Sequence, residues 1–185
     1  MRIPVATYRL QFHPEFKFQD ALRILTYLDD LGISDIYASP IFKARRGSTH
    51  GYDVVDPSQL NPELGSDEDF AELTSDLSQR GMGWLQDIVP NHMAYDSENP
   101  FLVDILEHGP YSEYSDFFDV EWEHPFDDFK GKILIPMLGD FYGRCMERGE
   151  ITLNYDENGL TVNYYDLWVP LRIESYNRFL THDMD

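Results

Sequence analysis

The chain has 185 residues and carries 14 Lys and Arg against 34 Asp and Glu, a formal net charge of −20. A surface this acidic repels nucleic-acid phosphates and anionic lipid headgroups, so both kinds of partner are disfavoured. Hydrophobic residues make up 42 % of the sequence, which supports a folded core. No apolar run approaches the roughly 20 residues that span a bilayer. We therefore expect a globular protein with no nucleic-acid or membrane partner.

Two features indicate where the protein works. Cys145 is the single cysteine, so the chain cannot form an internal disulfide. Residues 1–12 lack the charged segment followed by an apolar run that marks a signal peptide. We therefore expect a cytoplasmic location.

Predicted strands and helices alternate from the start of the chain. Residues 5–12 alternate in polarity and are rich in β-formers, which predicts a strand. Residues 18–31 place apolar side chains at helical spacing and are followed by Gly32, which predicts a helix. Residues 34–39 form a short apolar stretch before Pro40 and predict a second strand.

The alternation continues after a long predicted loop over residues 44–64. Ser66 begins a second predicted helix, which Gly81 ends. Residues 82–89 form a third predicted strand, closed by Pro90. This β-α-β-α-β order predicts a parallel sheet with right-handed crossovers, in either an open doubly wound sheet or a closed (β/α)₈ barrel.

The rhythm changes after Pro90, where the sequence predicts an irregular, β-containing subdomain. Its predicted elements are a short helix, a strand, a hairpin and a final helix: residues 99–106, 132–138, 151–155 with 160–164, and 172–185. We therefore divide the chain into residues 1–94, the alternating part, and residues 95–185, the subdomain.

Candidate site residues follow the predicted third strand, because active sites of parallel α/β folds lie at the carboxyl ends of the strands. Asp87 lies near that end and faces inward, where burial requires hydrogen bonds. Asn91 and His92 follow on the rim, and a neutral His92 can donate to a sugar hydroxyl. The alternative is a structural loop with a turn-forming Pro-Asn pair.

A second candidate segment, residues 47–53, follows the predicted second strand. Its two glycines allow a close approach of backbone to a ligand. Tyr52 offers a flat apolar face for a pyranose ring, and Asp53 offers acceptors for hydroxyls. The alternative is a glycine-bracketed turn whose tyrosine belongs to the core.

Motifs for metals and cofactors are lacking in the sequence. There is no dinucleotide-binding or phosphate-binding glycine motif and no nucleophile elbow. The six histidines are scattered without ligand spacing. We therefore predict neither a metal site nor a cofactor.

These segments together resemble glycoside hydrolase family 13, the α-amylase family. Residues 87–92 match the family's first conserved region, and residues 51–53 match its loop after strand two. Within that family the chain is most similar to the maltooligosyltrehalose synthases, a resemblance that runs over most of its length. The segments that carry it are residues 6–12, 37–41, 48–56, 60–65, 87–94 and 133–139.

The resemblance implies an α/β fold: the first three strands of a (β/α)₈ barrel, with the irregular subdomain inserted after strand three. It implies an enzyme that converts the reducing-end α-1,4 bond of a maltooligosaccharide into an α,α-1,1 bond by retaining intramolecular transfer. Tyr52 would stack on the glucose at the cleavage site, and Asp53 and His92 would hold its hydroxyls. Supporting roles are implied for Asp87, Asn91 and His50.

The resemblance also implies what lies elsewhere. The family's nucleophile, general acid and third carboxylate follow strands four, five and seven, so we expect no catalytic residue in this chain. The pair His182 and Asp183 is similar to the family's last His-Asp pair but comes too early in strand order. A complete barrel takes roughly 250 residues. We therefore expect an N-terminal portion that is inactive alone, marginally folded and in need of the rest of the barrel.

Three other readings stay open from the sequence. The chain could belong to another hydrolase or transglycosylase of the α-amylase family. It could be a non-catalytic α-glucan-binding protein. It could also be an unrelated (β/α) enzyme that uses His92 as a base.

Overall fold

The computed structural model describes residues 3–157 and 159–177. The chain divides into two units, Met1–Tyr95 and Asp96–Asp185. The division into residues 1–94 and an inserted subdomain of residues 95–185 stays a prediction.

The first unit is built around a three-stranded parallel sheet. Its elements in chain order are β1 (Thr7–Leu10), α1 (Phe18–Asp30), β2 (Asp35–Ala38), β3 (Phe42–Ala44), β4 (Val54–Leu60), a short 3₁₀ helix (Pro62–Leu64), α2 (Asp67–Gln79) and β5 (Gly83–Gln86). The sheet order is β1-β2-β5, and both pairings are parallel. The predicted β-α-β-α-β order is confirmed, with strands shorter than predicted.

One face of this sheet packs against the helices. Leu10 pairs with Ala38 in the register of β1 and β2, and both are buried. Arg9 pairs with Tyr37, and both are exposed, because successive side chains of a strand point to opposite faces of the sheet. The helical stripe from Ala21 to Leu28 is fully buried and belongs to the same core as Leu10 and Ala38. The sheet face opposite this core is therefore the one that carries polar side chains.

The prediction of a loop over residues 44–64 is wrong for its second half. Val54–Leu60 forms strand β4, which pairs antiparallel with β3 in a separate two-stranded sheet with register shifts. Pro57 and the polar residues beside it hide the strand signal, because proline cannot donate to a ladder. The buried pair Val54 and Val55 is the part of the segment that does read as a strand.

The second unit contains two helices and an antiparallel sheet. Its elements are α3 (Pro100–His108), α4 (Tyr142–Glu147), β6 (Ile151–Asp156), β7 (Gly159–Tyr164) and β8 (Leu167–Pro170), with 3₁₀ helices at Gly109–Tyr111, Ser115–Phe117 and Ile173–Ser175. The predicted hairpin is confirmed as β6 and β7, and β8 adds a third strand that the sequence reading missed. Helix α4 was also missed.

The predicted strand over residues 132–138 is wrong. The segment runs without ladder pairing, and Met137 N donates locally to Ile135 O over 3.0 Å. Pro136 removes a backbone donor in the middle of the segment, which opposes a strand. Of the predicted final helix over residues 172–185, the structure has the 3₁₀ helix Ile173–Ser175, and residues 178–185 lie outside the described residues.

The helices of the described residues are short. The longest, α1 and α2, have 13 residues each. None of the helices in this part of the chain is long and apolar enough to cross a membrane.

Candidate functional site

The candidate site lies at the carboxyl ends of the parallel strands, on the face opposite the helices. Arg9 comes from β1 and Tyr37 from β2. Asp87 follows β5 directly, and its backbone N–H donates to Ala38 O over 3.0 Å, which extends the strand pairing by one residue. Side chains from three neighbouring strands therefore meet at one edge of the sheet.

Arg9, Tyr52 and Asp87 form a closed triangle of hydrogen bonds. Arg9 Nη1 donates to Asp87 Oδ2 over 3.0 Å, and Arg9 Nη2 donates to the Tyr52 hydroxyl over 2.8 Å. The Tyr52 hydroxyl in turn donates to the same Asp87 oxygen over 2.5 Å. The Arg9 guanidinium also lies 4.6 Å from the centre of the Tyr37 ring, a cation–π distance.

The triangle fixes the protonation of its members. The hydroxyl of Tyr52 and then the guanidinium of Arg9 lower the pKa of Asp87, although partial burial opposes them. The hydrogen bond to Asp87 raises the pKa of Tyr52. At neutral pH the site therefore holds an ionised carboxylate, a neutral phenol and a guanidinium cation.

The segment of residues 47–53, here called the Tyr52 loop, is held by bonds within itself. The buried Ser48 hydroxyl donates to Asp53 Oδ1 over 2.5 Å and accepts from Gly51 N over 3.1 Å. Arg45 N donates to Asp53 O over 3.0 Å at the entrance of the loop. Asp53 therefore sits with one carboxylate oxygen engaged and its side chain 23 % exposed.

Gly51 lets this loop press against the end of β2. Its φ is +74°, which favours glycine, and a Cβ at this position would lie 2.5 Å from Pro40 O. The backbone of Gly51 must therefore approach Pro40, which follows β2, closely. It is a packing requirement between the loop and Pro40 and does not by itself involve a ligand.

His50 supports the Tyr52 backbone. Its Nδ1 accepts from Tyr52 N over 3.0 Å, and the two rings stack at 6.0 Å with 28° between their planes. Gln11 Nε2, from the end of β1, donates to His50 O over 3.2 Å. The loop is therefore tied to the same sheet edge as Arg9.

Asn91 and His92 stand apart from these contacts. His92 Nδ1 lies 3.0 Å from Asn91 Oδ1, and both side chains are exposed. Within the described part of the chain, neither side chain hydrogen-bonds to Tyr52, Asp53 or Asp87. The structure thus brings Tyr52, Asp87 and Asp53 to one edge through the Tyr52 loop, and leaves the imidazole of His92 available.

Sequence reasoning missed Arg9, Tyr37 and Ser48. Arg9 carried a usable signal, because it is a charged residue at an alternating position of a predicted strand, one residue before the strand end. Tyr37 carried a weaker one, since an aromatic residue in a strand usually packs in a core. Ser48 gave no signal of its own.

Metal-ligating side chains do not cluster here. In the stretches 3–157 and 159–177, no group of three or more His, Cys, Asp or Glu side chains could hold a metal ion. The oxygen and nitrogen atoms described above hydrogen-bond to one another.

Comparison with known proteins gives matches across both units. The model of the α-amylase catalytic domain matches residues 21–161. A putative maltooligosyl trehalose synthase from Mycobacterium tuberculosis is 45 % identical over 147 residues, which cover 75 % of this chain and 19 % of the relative.

Two solved structures are similar over still more of the chain. A maltooligosyltrehalose synthase from Arthrobacter ramosus matches with a TM-score of 0.80 and 38 % identity, over 93 % of this chain and 22 % of that one. A further structure of a maltooligosyl trehalose synthase matches with a TM-score of 0.83 and 38 % identity, over 91 % of this chain and 22 % of that one.

The chain spans about a fifth of the length of the relatives that it matches. The family match runs from helix α1 into β7 and so includes Tyr52, Asp53, Asp87 and His92. The parallel β-α-β-α-β unit is accordingly part of a (β/α)₈ barrel, as the resemblance to the α-amylase family implied; the strand order alone also allowed an open doubly wound sheet. This chain belongs to the α-amylase family.

Proposed function

We propose that the chain is the sugar-binding portion of a maltooligosyltrehalose synthase. The observation that carries the proposal is the similarity to such synthases, at 38–45 % identity, over 75–93 % of this chain. The two structural matches cover 91 % and 93 % of this chain and so extend into the irregular second unit. The substrate is accordingly a maltooligosaccharide, and the product carries an α,α-1,1-linked trehalose end.

The reaction divides between this chain and the rest of such an enzyme. One carboxylate attacks the anomeric carbon of the penultimate glucose while a carboxylic acid protonates the leaving oxygen of the terminal glucose. The released glucose then attacks the anomeric carbon of the glycosyl-enzyme through its own anomeric hydroxyl; the attacking carboxylate leaves, and the hydroxyl proton returns to the residue that had acted as acid. We expect both carboxyl groups outside this chain, whose side chains bind and orient the sugar.

The Tyr52 ring and Asp53 carry the binding role. Tyr52 is held by its hydroxyl, so its ring face is the surface that it can offer to the apolar C–H groups of a pyranose. Asp53 has one oxygen bonded to Ser48 and keeps acceptor capacity for a sugar hydroxyl. The two neighbours therefore offer an apolar and a polar contact to one ring.

His92 supplies the second polar contact in this proposal. The neighbour of His92 Nδ1 is Asn91 Oδ1, which can only accept a hydrogen bond, so Nδ1 donates to it and the exposed Nε2 of the neutral ring accepts from a sugar hydroxyl. Asn91 orients the ring, and His50 and Asp87 support the Tyr52 loop. None of these residues carries out bond cleavage.

The proposal includes a cytoplasmic location and a maltooligosaccharide as partner. The lone Cys145 is buried and free, which fits a reducing compartment such as the cytoplasm. The formal net charge of −20 does not oppose an uncharged glucan. A maltooligosaccharide is therefore the proposed partner.

A hydrolase of the same family is the second candidate. The intracellular maltogenic amylase of Bacillus subtilis is 42 % identical over 96 residues, which cover 52 % of this chain. That match shows that much of the sequence is shared with enzymes of a different product. Product analysis therefore has to decide between transfer and hydrolysis.

The experiment uses a chimera in which residues 1–185 replace the aligned segment of the Arthrobacter ramosus synthase. The chimera and its parent are incubated with maltopentaose, and products are separated by chromatography. We expect a non-reducing product of unchanged mass, with little free glucose. A thermal unfolding transition of the chimera close to that of the parent is the folding control.

Two outcomes would contradict the proposal. Release of glucose and maltose as main products would favour the hydrolase. A folded chimera that binds maltopentaose without turnover would favour a non-catalytic α-glucan-binding protein. The 185-residue chain alone should be inactive, so product formed by it would contradict the division of roles between this chain and the remaining barrel.

A further inference from the structure

We propose that Arg9 is the positioning residue of the sugar platform: its two guanidinium nitrogens hold Asp87 and the Tyr52 hydroxyl at once and so fix the orientation of the Tyr52 ring. The inference rests on the proposed function, because the platform is meant for a pyranose. It assigns a role to a residue of strand β1, which the sequence reading did not select.

The Tyr52 hydroxyl both donates and accepts a hydrogen bond within the triangle. A phenolic hydroxyl has one proton to give and accepts through its lone pairs. Here it gives the proton to Asp87 over 2.5 Å and accepts from Arg9 over 2.8 Å. The hydroxyl is thereby committed to the protein, and the ring face is the part of Tyr52 that a sugar can use.

Arg9 suits this task because of its planar fork. Nη1 and Nη2 reach two different acceptors, at 3.0 Å and 2.8 Å, and the Cζ atom lies 4.6 Å from the centre of the Tyr37 ring. A lysine ammonium is a compact point charge on a flexible stem and does not reproduce this geometry. The contact with Tyr37 restricts the guanidinium further, so three residues hold it: Tyr37 on β2, Asp87 directly after β5 and Tyr52 in the loop.

The triangle lies at the carboxyl ends of the strands, so its hydrogen bonds affect the orientation of the Tyr52 ring there. Arg9 lies at the carboxyl end of β1, and the Tyr52 loop is tied to the same edge through Gln11 and His50. A tyrosine hinged only at its backbone could rotate about its side-chain bonds. Anchoring the far end of the ring removes that freedom before a sugar arrives, which favours catalysis by fixed orientation.

The test begins with the 185-residue chain itself and needs no sugar. The ζ carbons of its tyrosines are isotope-labelled, and the Tyr52 signal is identified by its loss in Tyr52→Phe. In the unsubstituted chain we expect this signal to sense protonation of Asp87, with a midpoint below the ordinary aspartate pKa of about 3.9. A Tyr52 signal that shows no such low-pH step would overturn the proposal.

The second part of the test removes the Arg9 guanidinium. In Arg9→Gln we expect the low-pH midpoint to rise, because Asp87 loses its cation, and the ionisation of Tyr52 to move to higher pH. Arg9→Lys should restore the Asp87 midpoint in part without restoring the Tyr52 signal. The matched control is Arg23→Gln, which removes an exposed arginine that also pairs with an aspartate, Asp20, at 2.8 Å.

The last arm joins the inference to the proposed function in the chimera described above. A misplacement of about 1 Å can cost on the order of 100-fold in rate, so Arg9→Gln should lower kcat between about ten- and 100-fold with little change in KM. Arg23→Gln should leave both constants unchanged. Equal kinetics for the two variants would overturn the positioning role, whereas an inactive parent chimera beside an Arg9-dependent Tyr52 signal would count against the proposed function alone.

Discussion

The two units of the chain differ in how far they bury their large apolar side chains. In Met1–Tyr95 the core side chains of two helices and a sheet are fully buried, among them Phe18, Leu25 and Leu28. In Asp96–Asp185 large apolar side chains are often exposed, as with Leu134 at 83 % and Tyr111 at 82 %. The first unit is therefore organised by a hydrophobic core, and the second relies more on caps, turns and a local antiparallel sheet.

The largest expected difference between the units concerns a matched pair of leucines. Leu28 is fully buried, and Leu134 is 83 % exposed. Leu28→Ala leaves a cavity and should lower the free energy of unfolding by about 3 kcal/mol, whereas Leu134→Ala should change it by less than about 0.5 kcal/mol. Urea unfolding followed by circular dichroism measures both. Similar losses for the two variants would contradict the role of Leu28 in the core of the first unit.

A smaller difference is expected between two glycines of the Tyr52 loop. Gly51 and Gly47 have nearly equal φ values, +74° and +73°, but only Gly51 faces a neighbouring atom, Pro40 O. Gly47→Ala should cost about 1 kcal/mol from backbone strain, and Gly51→Ala on the order of 3 kcal/mol because the loop must also move. Thermal unfolding of the two variants checks this. A Gly51→Ala variant as stable as Gly47→Ala would show that the loop is not pressed against β2.

In the second unit we expect a local cap to matter. The Asn99 side chain is buried and its Oδ1 accepts from Phe101 N at 3.1 Å and Leu102 N at 3.2 Å, at the start of α3. Asn99→Ala should lower the free energy of unfolding by about 1–2 kcal/mol, and Asn99→Asp, which keeps the acceptor, should lower it less. The comparison of the two variants by urea unfolding separates capping from packing.

The smallest effect is a change with pH. Because the Tyr52 hydroxyl and then Arg9 lower the pKa of Asp87 in the folded chain, its carboxylate stabilises the fold above the unfolded pKa of about 3.9. This contribution is lost as the pH falls through the lower, folded value. Asp87→Asn should therefore lose less stability than the unsubstituted chain between neutral pH and acid. Parallel pH profiles of the two melting temperatures would contradict the shifted Asp87.

The sequence predicts the first unit well because its helices and strands carry clear periods. Ala21, Leu25 and Leu28 repeat at helical spacing and are all buried, and Ser66 caps the second helix as predicted. The sequence also places Tyr52 and Asp87 at neighbouring strand ends. It does not reveal their hydrogen bond, because Tyr52 and Asp87 are 35 positions apart in the sequence and come together only when β2 and β5 pair.

The second unit was predicted less well for a physical reason. Its hairpin has a strong turn signal and was found. Residues 132–138 have the composition of a strand but, with Pro136 in their midst, find no ladder partner. Irregular segments of this kind are held by contacts distant in sequence, such as Gly139 N with the Tyr164 hydroxyl at 2.9 Å, which no local pattern encodes.

The central claim is that the Tyr52 ring is the sugar platform of a transferase. It is tested most directly by Tyr52→Ala in the chimera, with Tyr27→Ala, which removes a 62 % exposed tyrosine from α1, as the matched control. We expect Tyr52→Ala to lower kcat/KM for trehalosyl formation from maltopentaose by about 100-fold or more, and Tyr27→Ala to leave it unchanged. A folded Tyr52→Ala chimera with the parent's kcat/KM would contradict the account.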